Sequence, residues 1–467
     1  MRLFARENFY SKYIVVLLAF CVNGIFLYFY NPQYHFTLTQ LHGQVGYNIN
    51  TQGSVNIDPA LTRIMDEQRR ECGQLIDYDG IDSAQLVNPT QPFVTNDTIG
   101  YGLVLGALWK LTGSFSFADV QCLQIILFSL LMLLLYRIVL ILFGDPRFAF
   151  WACTAHLLFF PIVAMNVQPS RDIWAYYGVV ILLYGMLAYL HENASIWRLL
   201  VCGIGFSVCQ FVRPSVFLAL LTLSIVFFVY ALMHRTLITK TIIMIGILVG
   251  GNIVCFWIPF MAYNKISYDR YFVGPVGLDL LEGLGEFPNR WGYKLDDVWA
   301  SEYICKKYNV PPGTPLFDDK AKEEFTQAFN QEPFIYFINI FKRLPGLILP
   351  GLPWIFYTLS PYGHGTSWQK KVTMIINSRD LLIDFLVRHI YIRLYLLIGY
   401  LGIIMLLMQR RYWILALLLG GVLLGGLGKL PSHIEYRYVV PYYWVFGIFV
   451  AYALGQCKNW FLRLYKA

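Results

Sequence analysis

A succession of apolar runs of membrane-crossing length constrains this chain more than any other feature. A helix rises about 1.5 Å per residue, so roughly 20 apolar residues reach across the hydrocarbon core of a bilayer. Runs at or near that length occupy 13–30, 119–143, 148–165, 173–190, 214–233, 242–262, 386–408, 412–429 and 438–456. A shorter run, 198–212, is split from its successor by Arg213-Pro214 and reads as a short span in a hairpin with 214–233. Backbone polar groups in lipid must be satisfied within the segment, so runs of this kind fold as helices. The expected fold is an all-α polytopic membrane protein of about ten spans, with 1–467 as a single membrane domain.

Composition agrees. Charged residues make up 14% of the chain and hydrophobic residues 57%, with mean hydropathy +0.53, which excludes a string of soluble domains. Tyr and Trp gather where apolar runs meet polar loops, as interfacial belts do. The net charge of +8 sits largely at run ends and in short loops, so it sets orientation and gives no nucleic-acid signal. The nine cysteines include no C-x-x-C pair. Cys72 and Cys305 each lie in a large polar loop and can pair if those loops face an oxidising compartment.

Lys and Arg orient the runs. Arg2, Arg6 and Lys12 put the N-terminus in the cytosol, ahead of a run that reads as a retained first span because no small-residue cleavage site follows it. That span exports 31–118, which carries eight acids against four Lys/Arg. Alternation keeps Arg147, Arg198, Arg235 and Lys240 inside and exports a second long loop, 263–345. Arg410, Arg411 and the basic tail also read as cytosolic. Both ends agree only if 346–385 begins and ends outside. Its apolar part is short and holds Pro350 and Pro353, so it reads as a re-entrant or interfacial segment. No eukaryotic targeting feature is present, and a bacterial inner membrane with both exported loops outward is the expected location.

Loops this long are more than connectors, and function concentrates on such loops above a rigid scaffold. The first contains Asp77-Tyr78-Asp79-Gly80-Ile81-Asp82, which reads either as a solvated acidic turn or as carboxylates for a base or a divalent cation. Asp97 precedes an apolar stretch, Tyr101 to Gly113, too short to span; it reads as an interfacial helix that Asp97 caps or serves chemically. Arginines recur at the outer membrane face: Arg171, Arg213, Arg270, Arg343 and Arg437. Cations at that depth are costly unless paired, for example Arg171 with Asp172 or Arg437 with Glu435. Otherwise their geometry suits a phosphate or lipid headgroup.

The ordered series of these features resembles polytopic glycosyltransferases of the GT-C fold, in the branch of protein O-mannosyltransferases and lipid A aminoarabinose transferases. The matching pieces are the basic N-terminus and first span, Asp97-Thr-Ile-Gly-Tyr101 with its short helix, and Pro161 before Gln168-Pro-Ser-Arg171. They continue with Arg213-Pro214, Gly277-Leu-Asp-Leu-Leu-Glu-Gly283, Asn330-Gln-Glu-Pro333 and Glu435-Tyr-Arg437-Tyr438-Val-Val-Pro441. The resemblance implies transfer of a sugar from a polyprenyl-phosphate donor to a glycan, lipid or protein acceptor on the non-cytosolic face. It implies that the arginines hold the donor phosphate and that His433, Glu435 and Tyr101 contact sugar or acceptor. It also implies an acid directly after the first span, and here the chain departs: 31–57 contains no Asp or Glu, and His42-Gly-Gln-Val-Gly-Tyr47 stands in that place. The base then falls to Asp58 or Asp97, with Asp79 and Asp82 behind them. Other readings stay open: a polymerase or ligase acting on polyprenyl-diphosphate glycans, or a transporter or scaffold without catalysis.

Overall fold

A computed structural model describes residues 9–29, 37–58, 61, 65, 78–79, 99–271, 276–311, 314–348, 390–425 and 436–466. All regular elements among these are helical. Helix α1 (Phe9–Phe29) is followed by α2 (Thr37–Gln52), α3 (Gly100–Thr112) and α4 (Phe117–Phe143). The chain continues through α5 (Pro146–Leu157), α6 (Phe160–Val167), α7 (Ile173–His191), α8 (Ile196–Val212), α9 (Phe217–Met233), α10 (Ile238–Asn252) and α11 (Ile258–Tyr268). A separate group comprises α12 (Val276–Gly285), α13 (Asp297–Tyr308), α14 (Pro315–Gln331) and α15 (Pro333–Ile348). Last come α16 (Ile392–Met408), α17 (Tyr412–Leu415), α18 (Tyr436–Val439) and α19 (Val445–Lys466).

Four helical stretches are long and apolar enough to cross a membrane: Phe117–Phe143, Ile173–His191, Pro214–Met233 and Arg235–Tyr268. The pair α5 and α6, bent by 65° at Leu158-Phe159, makes a broken fifth. The count of about ten spans is therefore met only in part. Other apolar runs form helices of 10–17 residues, Ile196–Val212 and Ile392–Met408 among them. At about 1.5 Å per residue a 17-residue helix such as α8 or α16 reaches about 25 Å, short of a full hydrocarbon core, whereas α1 and α19 extend beyond their apolar parts. The segment 346–385 lies almost wholly outside the described residues.

Local sequence sets the helix ends. Gly144 stops α4 in the left-handed conformation (φ 72°), and Asp145, accepting from Arg147 N at 2.8 Å, starts α5 with Pro146 at its first position. Arg213 ends α8 in extended backbone (φ −136°, ψ 90°), as the residue before a proline must. The break between α5 and α6 leaves carbonyls without helical partners. Tyr395 of α16 donates to Ala155 O at 2.9 Å and Tyr391 donates to Leu158 O. Helix α7 is the centre of the bundle, with 89% of its most apolar window buried. Polar side chains seam it to its neighbours. Asn23 of α1 bonds Asn166 of α6 at 2.7 Å, Tyr177 of α7 donates to Asn166 and to Gln124 O, and Gln124 Nε2 donates to Ser170 O at 3.2 Å. That seam fixes the turn 168–172 above the bundle. At the opposite end of α7, Glu192 pairs with Arg137 at 2.7 Å, tying α4 to the same helix.

The segment from α12 to α15 is a helical unit with its own core of Leu281, Leu284, Ile304, Phe317, Ala321 and Ala328. Its hub is Glu324, buried on α14. Its carboxylate accepts from Lys307 (2.6 Å), Tyr308 (2.7 Å), Tyr293 (2.7 Å) and Tyr303 (2.8 Å). Burial raises this carboxyl, but the four donors outweigh it and hold it at about 2. Cys305, which can pair with Cys72 only if both loops face an oxidising compartment, is a free thiol packed against this core, and Cys72 lies outside the described residues.

Candidate functional site

Helix α2 occupies the acid-free stretch and builds the first wall of the site. Gln40, Gln44 and Asn48 recur every four residues on one face. Gln40 Nε2 reaches Met65 Sδ (3.7 Å), Gln44 Nε2 donates to Asp58 O (3.0 Å) and Asn48 Nδ2 donates to Asn56 O (2.8 Å). This amide ladder clamps the segment that follows the helix. His42 lies two residues from Gln44, about 200° round the helix, and so faces the other way. There Arg171 Nη1 stands 3.5 Å from His42 Nε2, and the ring of Tyr101 meets the His42 ring edge-on at 5.4 Å. A guanidinium only donates, so Nε2 is the acceptor in this contact.

Helix α3 brings Tyr101 into place through close backbone contacts. A Cβ on Gly46 would lie 2.9 Å from Gly106 N, so α2 and α3 cross at a distance that only glycine permits. At its other end, a Cβ on Gly100 would lie 2.0 Å from Phe211 O. The N-terminus of α3 therefore abuts the last turn of α8, two residues before Arg213. Arg213 Nε is 3.1 Å from Asp172 Oδ1, with side chains only 5% and 6% exposed, and its guanidinium packs on the Tyr438 ring at 4.9 Å. Asp172 and Arg171 are the charged groups that act on the Tyr101 hydroxyl.

Several buried polar atoms in this region have no hydrogen-bond partner: Tyr101 Oη, Trp174 Nε1 one turn along from Arg171, Tyr442 Oη beside Arg213, and Asp172 Oδ1. Each buried polar atom left unpaired costs about 1–3 kcal/mol. Three of these four atoms are donors, and they lie near two guanidiniums and the Asp172 carboxylate.

The structure thus brings together Arg171, Arg213 and Tyr101 of the residues marked from sequence. It separates others. Asp58 is buried across α2, its carboxylate accepting from Leu61 N at 3.3 Å as a cap. Asp79 is exposed and ties its turn to Phe115 N and Ser114 Oγ. Arg343 is buried within the α12–α15 unit on Glu286 and Gly283 O, and Arg270 pairs with Asp319 at 2.7 Å on its surface. Asp82, Asp97, His433, Glu435 and the side chain of Arg437 lie outside the described residues. Among the described residues no three His, Cys, Asp or Glu side chains gather as a metal site. His42, Asp172, Trp174 and Tyr442 were not singled out from sequence as site residues. His42 stands where the resembled family carries an acid, and Asp172 is adjacent in sequence to Arg171 but reaches Arg213. No protein-family model, curated protein or solved structure matches the chain.

Proposed function

We propose that this chain is a membrane transferase of the GT-C type. It moves a sugar from a polyprenyl-phosphate donor to a glycan, lipid or protein acceptor on the outer face of a bacterial inner membrane. In this reading the shorter apolar helices complete a topology of about ten spans with both termini cytosolic. The observation that carries it is the convergence of Arg171 and Arg213 with unpartnered buried donors at one end of an apolar bundle. A phosphate on a polyprenyl chain suits such a place, with its tail in lipid and its charge among fixed donors. When the bond between sugar and phosphate breaks, the leaving phosphate gains negative charge. Preorganised cations and N–H or O–H groups stabilise that charge more than they stabilise the intact donor, which lowers the barrier. His42 orients Arg171 from the position where the resembled family carries an acid.

Two guanidiniums also favour a second reading, in which a polyprenyl-diphosphate glycan is the donor and the enzyme a polymerase or ligase. The test uses the purified full chain in nanodiscs with radiolabelled polyprenyl-phosphate and polyprenyl-diphosphate sugars and an envelope extract as acceptor. Transfer from the monophosphate donor, lost in Arg171→Ala and in Arg213→Ala, supports the first reading. Transfer from the diphosphate alone supports the second. No turnover of either donor, with no defect for the two variants in cells, leaves a transporter or scaffold.

A further inference from the structure

Helix α15 has two unlike faces. Tyr336, Asn339, Ile340 and Arg343 recur at helical spacing and turn towards the rest of the unit. The Tyr336 ring meets the Phe325 and Phe329 rings of α14 edge-on at 5.4 Å, and Arg343 is buried on Glu286. Phe334, Phe337, Ile338 and Phe341 lie about 200° round the helix from these and are 46% to 81% exposed. The helix carries no Asp or Glu, and its exposed cation, Lys342, flanks the apolar face. An exposed apolar patch rimmed by polar residues marks a place where something docks. Two observations say what. The unit is held at the end of a stretch long and apolar enough to cross a membrane: α11 ends at Tyr268, and Arg270 pairs at 2.7 Å with Asp319 of α14, which runs through Glu332 into α15. The patch is also small for a protein partner. Four side chains of about 150–250 Å² each, exposed to this degree, offer roughly 500 Å², below the about 800 Å² per partner of a stable interface. A bilayer surface has no such minimum, and aromatic residues on one face with lysine at its edge are what an interfacial helix presents to it.

We propose that α15 docks on a lipid surface: Phe334, Phe337, Ile338 and Phe341 lie in the leaflet on which α11 ends, and the α12–α15 unit rests on the bilayer through them. The inference goes beyond the transferase reading and does not depend on it. An interfacial helix sinks its apolar face about 5–10 Å into the boundary between headgroups and acyl chains. Lys342, whose amine stands over the Phe287 ring at 5.3 Å, then lies level with the lipid phosphates. The inward face stays with the unit, because Tyr336 and Arg343 are already committed to α14 and to Glu286. A spanning helix would instead have to take the buried Arg343–Glu286 pair into hydrocarbon.

The test uses the full chain in nanodiscs of phosphatidylethanolamine and phosphatidylglycerol. The photoreactive residue p-benzoylphenylalanine replaces Phe337 or Phe341 in turn, and Glu302, exposed on α13, in a control. After irradiation, mass spectrometry reads what each position has captured. Both α15 positions are expected to yield peptides heavier by one phospholipid, at least about tenfold more often than the Glu302 control. Either position alone decides the matter if the other protein does not fold. Capture of a second copy of the chain would make the face a self-association surface and overturn the proposal. Capture of another peptide of the same chain would mean that the face is covered from within, and would overturn it as well. No lipid adduct at either α15 position, or adducts as frequent at Glu302, would place the face in water and do the same.

Discussion

Tyr101→Phe separates the stability of this fold from the work of its site. The Tyr101 side chain is fully buried, and its hydroxyl has no hydrogen-bond partner. A buried unsatisfied hydroxyl costs about 1–3 kcal/mol, and phenylalanine keeps the ring, its edge-on contact with His42 and its volume. The variant should therefore unfold at an unchanged or higher temperature, contrary to the usual effect of a core substitution. The same hydroxyl is a donor within the field of Arg171 and Asp172. If it bonds a phosphate, its loss removes a hydrogen bond to a charged group, about 1.5–3 kcal/mol, or roughly 10- to 150-fold in affinity. The assays are thermal unfolding of the purified chain in nanodiscs and titration with undecaprenyl monophosphate. A lower unfolding temperature would mean that the hydroxyl is already satisfied. Undiminished phosphate affinity would mean that it faces no anion. Either result refutes the reasoning.

Three further outcomes follow from other parts of the molecule. Gly100→Ala should cost about 1–3 kcal/mol and reduce transfer more than stability, because a Cβ 2.0 Å from Phe211 O must push the start of α3, and Tyr101 with it, away from the end of α8; unfolding curves and transfer rates together check this. In the α12–α15 unit, the Glu324 carboxyl lies at about 2 in the folded state against an ordinary 4.5. Its stabilisation is thus complete above about 4.5 and lost as pH falls towards about 2. The shift is worth about 3 kcal/mol before solvent screening at the half-exposed Lys307 and about 1–2 kcal/mol after it; Glu324→Gln should flatten the acid limb of the unit's stability measured by hydrogen exchange. Arg343→Ala should loosen the same unit by leaving Glu286 half-buried without its cation, yet leave undecaprenyl monophosphate binding unchanged, whereas Arg270→Ala should alter neither.

The parts of this fold that depend on neighbouring residues were legible in sequence. Pro161 marks the bend between α5 and α6, Arg213-Pro214 marks the end of α8, and the stretch from Tyr101 to Gly113 is helix α3 with Gly113 as its left-handed cap (φ 73°). The site depends on contacts across long separations, and those were not legible. His42 meets Arg171 across 129 residues, and Asp172 passes over its sequence neighbour to reach Arg213. Local patterning carries no information about such pairings. In sequence the α2 segment shows chiefly its lack of acids, although its Gln40, Gln44 and Asn48 stand at helical spacing. Glycine and asparagine have weak helix propensity, and here the amide bonds to 56–65 and the crossing with α3 override it.

Transfer from a lipid-linked donor requires that the end of the bundle around Arg171 and Arg213 bind a lipid phosphate. Titration of the nanodisc-embedded chain with undecaprenyl monophosphate, against undecaprenol and excess phosphatidylglycerol, measures this directly. Saturable binding of the monophosphate that survives phosphatidylglycerol, fails for undecaprenol and vanishes in the Arg171→Ala, Arg213→Ala double variant is the predicted result. Equal binding of undecaprenol, or undiminished binding by the double variant, would contradict it.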